Sequence, residues 1–179
     1  EVHGLLAMML LQDSRRDARL VADELVLLAD QDRSRWDSDQ IARGRAELDR
    51  ALALGGSGPY VVQAAIAAQH AELETDWTHV AVLYGELSRL TGSSPVVELN
   101  RAVAVAEAEG PDAGLEIVDR LPLGGYRYLH ATRAELLARL GRTDEAIEAY
   151  RQALALVHGD AERRLFERRL AELLAITTA

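Results

Sequence analysis

Residues 133–154 read Arg133-Ala134-Glu135-Leu136-Leu137-Ala138-Arg139-Leu140-Gly141-Arg142-Thr143-Asp144-Glu145-Ala146-Ile147-Glu148-Ala149-Tyr150-Arg151-Gln152-Ala153-Leu154. Apolar residues recur at helical spacing on both sides of Gly141, the one residue here suited to a tight turn. Ala134, Ala146 and Ala153 fall where two antiparallel helices would touch, and helices that cross closely cannot carry bulk at the contact. Tyr150 is the large residue left over, placed to pack against a neighbouring pair. The stretch therefore reads as helix, turn, helix, with a further layer expected on top of it.

That arrangement resembles a tetratricopeptide repeat, and weaker copies precede it. Arg101-Ala102 lies 32 residues before Arg133-Ala134, and Gly114 lies 32 before Ala146. Tyr84-x-x-Leu87-x-x-Leu90 precedes Tyr150-x-x-Ala153-x-x-Leu156 by 66, close to twice the repeat length. Turn signals then divide the chain into helix pairs: Pro59–Leu73 with Trp77–Leu90, Pro95–Glu109 with Pro111–Leu121, and Tyr126–Leu140 with Thr143–Val157. Pro59, Pro95 and Pro111 stand at first helical positions, where the missing N–H costs nothing. Asp37 or Ser38 is placed to cap a helix running to Leu54, and Thr75-Asp76 the helix from Trp77. The charged segment from Asp160 to about Leu174 suits a solvent-facing cap on an array.

Composition agrees. Hydrophobic residues make up 49% of the chain but aromatic ones only 4%, and there are four Pro. Ala and Leu dominate, which favours helices over strands. The fold expected is all-α, antiparallel helix pairs in a tetratricopeptide-like right-handed superhelical array. Residues 1–58, 59–157 and 158–179 are read as an N-terminal part, three degenerate pairs and a capping helix within one compact domain. Glu1 to about Arg16 is apolar on most faces and reads as a buried helix. A short β-hairpin is expected near residues 19–28, where Arg19-Leu20-Val21 and Leu25-Val26-Leu27-Leu28 flank Ala22-Asp23-Glu24.

Several functions are disfavoured. With 20 basic and 29 acidic residues the net charge is −9, and the pI is near 5.0, so generic attraction to nucleic acid or anionic membrane is not expected. Cys is absent, which excludes disulfide scaffolds and thiolate metal sites. No apolar run has the roughly 18–20 residues of a membrane span. The opening Glu1-Val2-His3-Gly4 lacks an initiator Met and a basic segment, so the chain reads as a piece of a longer protein rather than one with a signal peptide. His70, Glu74 and His79 do not have the spacing of a metalloprotease motif. Gly56-Ser57-Gly58 lacks the strand-then-elbow context of a nucleophilic Ser. Gly55-x-x-Gly58 is no phosphate loop, since the chain has no Lys. The expectation is a non-enzyme without metal or cofactor.

What remains is charge patterning. Asp13, Arg15, Arg16 and Asp17 form one run before the hairpin; Asp30, Asp32, Arg33, Arg35 and Asp37 form another after it, with Gln31 and Trp36 inside it. Two readings compete. Arg forks grip carboxylates bidentately, so the runs would lock onto each other and hold the hairpin down. Alternatively these groups face a protein partner, since Trp and Arg are over-represented at binding hot spots. Arg101 and Arg133 are expected to pair with acids, and Asn100 to face a binding groove.

The same stretches carry a resemblance. Leu27-Leu28-Ala29-Asp30-Gln31-Asp32-Arg33-Ser34-Arg35-Trp36-Asp37, Gly58-Pro59-Tyr60-x-x-Gln63-Ala64-Ala65-Ile66-Ala67-Ala68 and Ser94-Pro95-Val96-Val97-Glu98-Leu99-Asn100-Arg101-Ala102-Val103-Ala104-Val105-Ala106-Glu107 closely resemble the C-terminal, tetratricopeptide-like extension of actinobacterial-type extracytoplasmic-function sigma factors. Gln12 departs from the His associated with its position. The resemblance implies a cytoplasmic regulatory module preceded by sigma regions 2 and 4, which read promoters and bind core RNA polymerase. The partners it implies are those sigma regions or core polymerase, with no nucleic-acid or membrane contact by this segment. From the charge patterning, the residues expected to make the contact are Asp13, Arg15, Arg16, Asp30, Gln31, Asp32, Arg33, Arg35, Trp36 and Asp37, with Asn100 in the groove. The alternatives are a free-standing adaptor whose groove takes a peptide, or a module sensing a small molecule there.

Overall fold

The computed structural model describes residues 1–177. Among the described residues the chain is all-α apart from one two-residue-by-two-residue hairpin. It divides into two compact units, Glu1–Val97 and Glu98 onward.

The first unit is built around α1 (Val2–Asp13), which packs on α3 (Ser38–Ala53) and α4 (Pro59–His70); α5 (Trp77–Leu90) packs on α4. Ala7, Leu48, Ala51, Val61 and Ala64 form its inner core, with Met8, Ala65 and Ala68 against it. The close approach of the three helices depends on glycine. A Cβ at Gly4 would stand 2.8 Å from the Val61 backbone nitrogen, and one at Gly44 2.7 Å from Leu11 Cγ. The outer face of α1 is not covered as expected: Leu6 is 42% and Met9 57% exposed.

After α1 comes the single turn α2 (Arg16–Arg19), then β1 (Leu20–Val21) and β2 (Glu24–Leu25), paired antiparallel with Leu20 opposite Leu25. The hairpin expected near residues 19–28 is therefore present. Its two-residue loop, Ala22-Asp23, has φ of 50° and 64°, the sign pattern of the primed turns whose twist suits a tight hairpin. Two 3₁₀ turns, Leu28–Asp30 and Arg33–Arg35, lead into α3. Asp37 caps α3 by accepting from Gln40 N at 2.9 Å, and Asp76 caps α5 from His79 N at 2.9 Å.

α6 spans Pro95–Glu109, and the division between the units falls within its first turn. In the second unit follow α7 (Pro111–Val118), α8 (Arg127–Arg139), α9 (Thr143–Ala155) and α10 (Asp160–Thr177). Gly114 of α7 lies so near α6 that a Cβ would meet Ala106 Cβ at 2.6 Å. α8 and α9 form the antiparallel pair expected from their sequence, with Gly141 (φ 72°) in the turn and Ala134, Ala146 and Ala153 fully buried. Tyr150, also buried, packs its ring 6.2 Å from that of Phe166 in α10. α10 is thus docked rather than merely solvated: it buries Leu165, Phe166 and Leu173, and its Glu162 and Arg169 reach Arg127 and Glu135 of α8 at 2.8 Å each.

Candidate functional site

The two charged runs meet in the first unit, and the backbone itself joins them: Asp37 N donates to Ser14 O at 2.9 Å. Ser14 is fixed from below, its hydroxyl donating to Leu11 O at 2.8 Å. In the second run Asp32 accepts from Ser34 N and Oγ at 2.9 and 2.7 Å. Those two bonds hold its carboxyl below the usual range and fold the turn that presents Arg33 and Trp36.

Trp36 is the centre of the arrangement. It is 8% exposed, and two guanidinium groups lie over its ring, Arg33 at 4.6 Å and Arg15 at 5.5 Å from the centroid. The runs therefore join through cation–π stacking and a backbone hydrogen bond, not through the Arg–carboxylate forks that their alternating charges suggested. Carboxylates of the runs are engaged locally instead. Asp13 binds Arg16 of its own run, with Nε at 2.9 Å, and accepts from Gln40 Nε2 at 2.9 Å. The Gln40 bond, then Arg16, lowers its carboxyl. Asp37 is occupied as a helix cap.

Gln12 has more to do than its departure from the resembled pattern suggested. Its Oε1 accepts from Arg15 Nη2 and Arg19 Nη2, both at 2.7 Å, and its backbone oxygen accepts from Arg19 as well. Arg15 is 8% exposed, the only charged residue so buried among those described. Burial, with Arg19 and Arg33 nearby, lowers its guanidinium to about 10.

Three residues of the cluster were not read from the sequence as part of it: His70, Trp77 and Tyr84. Their rings come from α4 and α5. The His70 ring packs tilted against that of Trp77, 5.4 Å between centroids, and burial together with Arg15 and Arg33 pushes its pKa down to about 4. The Tyr84 hydroxyl is raised by burial against the counteracting charge of Arg15. Arg33 also reaches across to this side, donating to Glu72 O at 2.6 Å, and Arg45 pairs with the Glu72 carboxylate at 2.9 Å. The sequence signals for these residues were His70 and Trp77 at the α4–α5 junction and Tyr84, two turns into α5, as a repeat position. Buried atoms without a partner collect in this unit: Gln31 Oε1, Trp36 Nε1, Arg45 Nε and His70 Nδ1.

Of the other residues singled out, Asp30 and Arg35 are exposed, and Gln31 donates to Val26 O at 3.2 Å. Asn100 is exposed on α6 and belongs to the second unit. Arg101 and Arg133 do pair with acids, Glu98 and Asp119, both at 2.8 Å. Among the described residues no group of three or more His, Asp or Glu is placed to hold a metal ion, and no helix is long and apolar enough to cross a membrane.

Residues 1–52, which contain both charged runs, match a family described as being of unknown function (DUF6596). The chain is similar to an uncharacterized protein, R00370, of Rhizobium meliloti (strain 1021), at 46% identity over 182 residues. That alignment covers 98% of this chain and 43% of the relative, so the chain spans less than half of the relative's length. No solved structure matches it.

Proposed function

We propose that this chain is the regulatory C-terminal module of an alternative sigma factor of the extracytoplasmic-function group, modulating transcription initiation in the cytoplasm through contacts with sigma regions 2 and 4 or with core RNA polymerase. The reading rests on the resemblance of the three long motifs. Its chief structural support is the Arg15–Trp36–Arg33 cluster, where the two motif runs are brought together over a buried indole, with Arg33 exposed on it and Asp30 and Arg35 exposed in the same run. Such a surface has the composition of a protein-binding hot spot. The −9 charge fits a segment that does not itself touch DNA.

The test is a set of single substitutions, Arg33→Ala, Arg35→Ala and Trp36→Ala, in the full-length protein, read by reporter transcription and by thermal melting. Arg35→Ala, at an exposed position, is expected to leave stability within about 0.5 kcal/mol and still to change transcription severalfold. Transcription that changes only in step with melting temperature would reduce the motif to a structural role. A second reading, a peptide- or ligand-binding adaptor, is favoured by a groove of about 480 Å³ along α1, lined by Leu6, Met8, Met9, Gln12 and Arg19 among others.

A further inference from the structure

The Arg15 site is electrically incomplete. A guanidinium offers five N–H donors and cannot shed its charge at physiological pH. Burying one is tolerated when a carboxylate or a full set of acceptors compensates it. Among the described residues Arg15 has one hydrogen bond, to the neutral amide oxygen of Gln12 at 2.7 Å, and a stacking contact with Trp36. Its charged neighbours are cations, Arg19 and Arg33. Among the described residues no carboxylate pairs with it. The Trp36 indole N–H, on the ring over which Arg15 lies, is buried without an acceptor. A donor thus lacks an acceptor on the ring over which a cation lacks an anion.

We infer that the Arg15–Trp36–Arg33 cluster is a receptor for one carboxylate, an Asp or Glu side chain presented by a protein partner. Size and charge select this group. One negative charge balances Arg15, and a planar pair of oxygens matches a guanidinium fork together with the neighbouring indole N–H. Exposed Arg33, stacked on the same ring, gives the acid an approach from solvent. A phosphate dianion is the competing anion that the titration below distinguishes, and water would provide acceptors without charge. The inference deepens the reading of this surface as a partner contact and rests on it, but its test does not involve transcription.

The chain is titrated by calorimetry and thermal melting with four probes at constant ionic strength: a capped peptide carrying a single Glu, the same peptide with Gln, acetate, and inorganic phosphate. The Glu peptide is expected to bind saturably and, at ten times its dissociation constant, to raise the melting temperature by about 4 °C. Acetate should compete with it at least tenfold more weakly. Equal binding of the Gln peptide, or tighter binding of phosphate, would overturn the site. Acetate binding as tightly as the peptide would overturn the protein-borne source. Two variants separate site from scaffold. Arg15→Met should abolish binding while leaving melting unchanged or raised, since it removes an uncompensated buried charge at similar volume. A sharply lowered melting temperature would instead make Arg15 structural and end the proposal. Arg33→Gln, at an exposed position, should fold normally and weaken binding about tenfold. Carboxylate binding that persists in a protein whose surface variants leave transcription unchanged would strike the sigma reading alone.

Discussion

Gln12 shows how much one neutral side chain carries. Its single amide oxygen serves two guanidinium groups, Arg15 and Arg19, both at 2.7 Å. Replacing it by Glu would put a carboxylate where Arg15 has none. The position lies in the last turn of α1, where a negative charge costs about 0.3–1 kcal/mol against the helix dipole. Both bonds already come from charged donors; ionising the acceptor as well adds charge pairing and strengthens them, so the arginines win. Gln12→Glu is expected to stabilise the chain by about 1 kcal/mol in urea unfolding at neutral pH. A loss of stability would show that Arg15 is already compensated. None of this was legible from residue 12 alone, because the meaning of the side chain depends on two partners that α2 and the turn before it bring back alongside.

At the scale of elements, glycine separates two kinds of helix. Gly4 and Gly85 are both inside helices, and on propensity alone Ala would improve either by about 0.5–1 kcal/mol. At Gly85 a Cβ meets nothing within 4 Å, and Gly85→Ala should deliver that gain. At Gly4 the obstacle is the Val61 backbone nitrogen at 2.8 Å, which cannot rotate away. Overpacking costs typically about 1–3 kcal/mol, so Gly4→Ala should destabilise despite the better propensity. Equal shifts for both in chemical unfolding would mean that α1 and α4 are not in close contact. The element boundaries themselves were largely legible: Asp37, Pro59, Asp76, Pro111 and Gly141 act locally, and a cap or turn residue works within a few positions of itself. The exposed side of α1 was not legible. Leu6 and Met9 are as apolar as Leu11, and only the placement of α3 and α4 decides which of them is covered.

For the molecule as a whole, acid should act in two stages. His70 has its folded pKa depressed from 6.5 to about 4 by burial and by Arg15 and Arg33. The unfolded chain therefore binds the proton first, and stability falls as pH drops from about 6.5 towards 4, by on the order of 1 kcal/mol per pH unit. Asp13, Asp32, Glu86, Glu145 and Glu162 have lowered folded pKa values through their hydrogen-bond partners. Their contribution is present above the ordinary carboxylate range and is lost only below it. Urea unfolding between pH 6.5 and 4.5 isolates the first stage. His70→Gln should flatten the slope there while leaving the later acid limb in place; an unchanged slope would exclude His70 as its source.

The all-α class, the hairpin, the helix ends and the α8–α9 pair were determined by the sequence, because periodicity, turn chemistry and capping operate over a few residues. The absence of Cys and Lys likewise settled what chemistry was not available. What only the tertiary structure decided is the use of the charges. Arginine alternating with aspartate reads as self-neutralising, yet the aspartates went to caps, turns and local pairs, and Arg15 and Arg33 went to one indole ring. His70 and Tyr84, remote in sequence, then came to surround the buried guanidinium. Which charge is compensated depends on distance in space and on burial, and neither quantity is written in the order of residues along the chain.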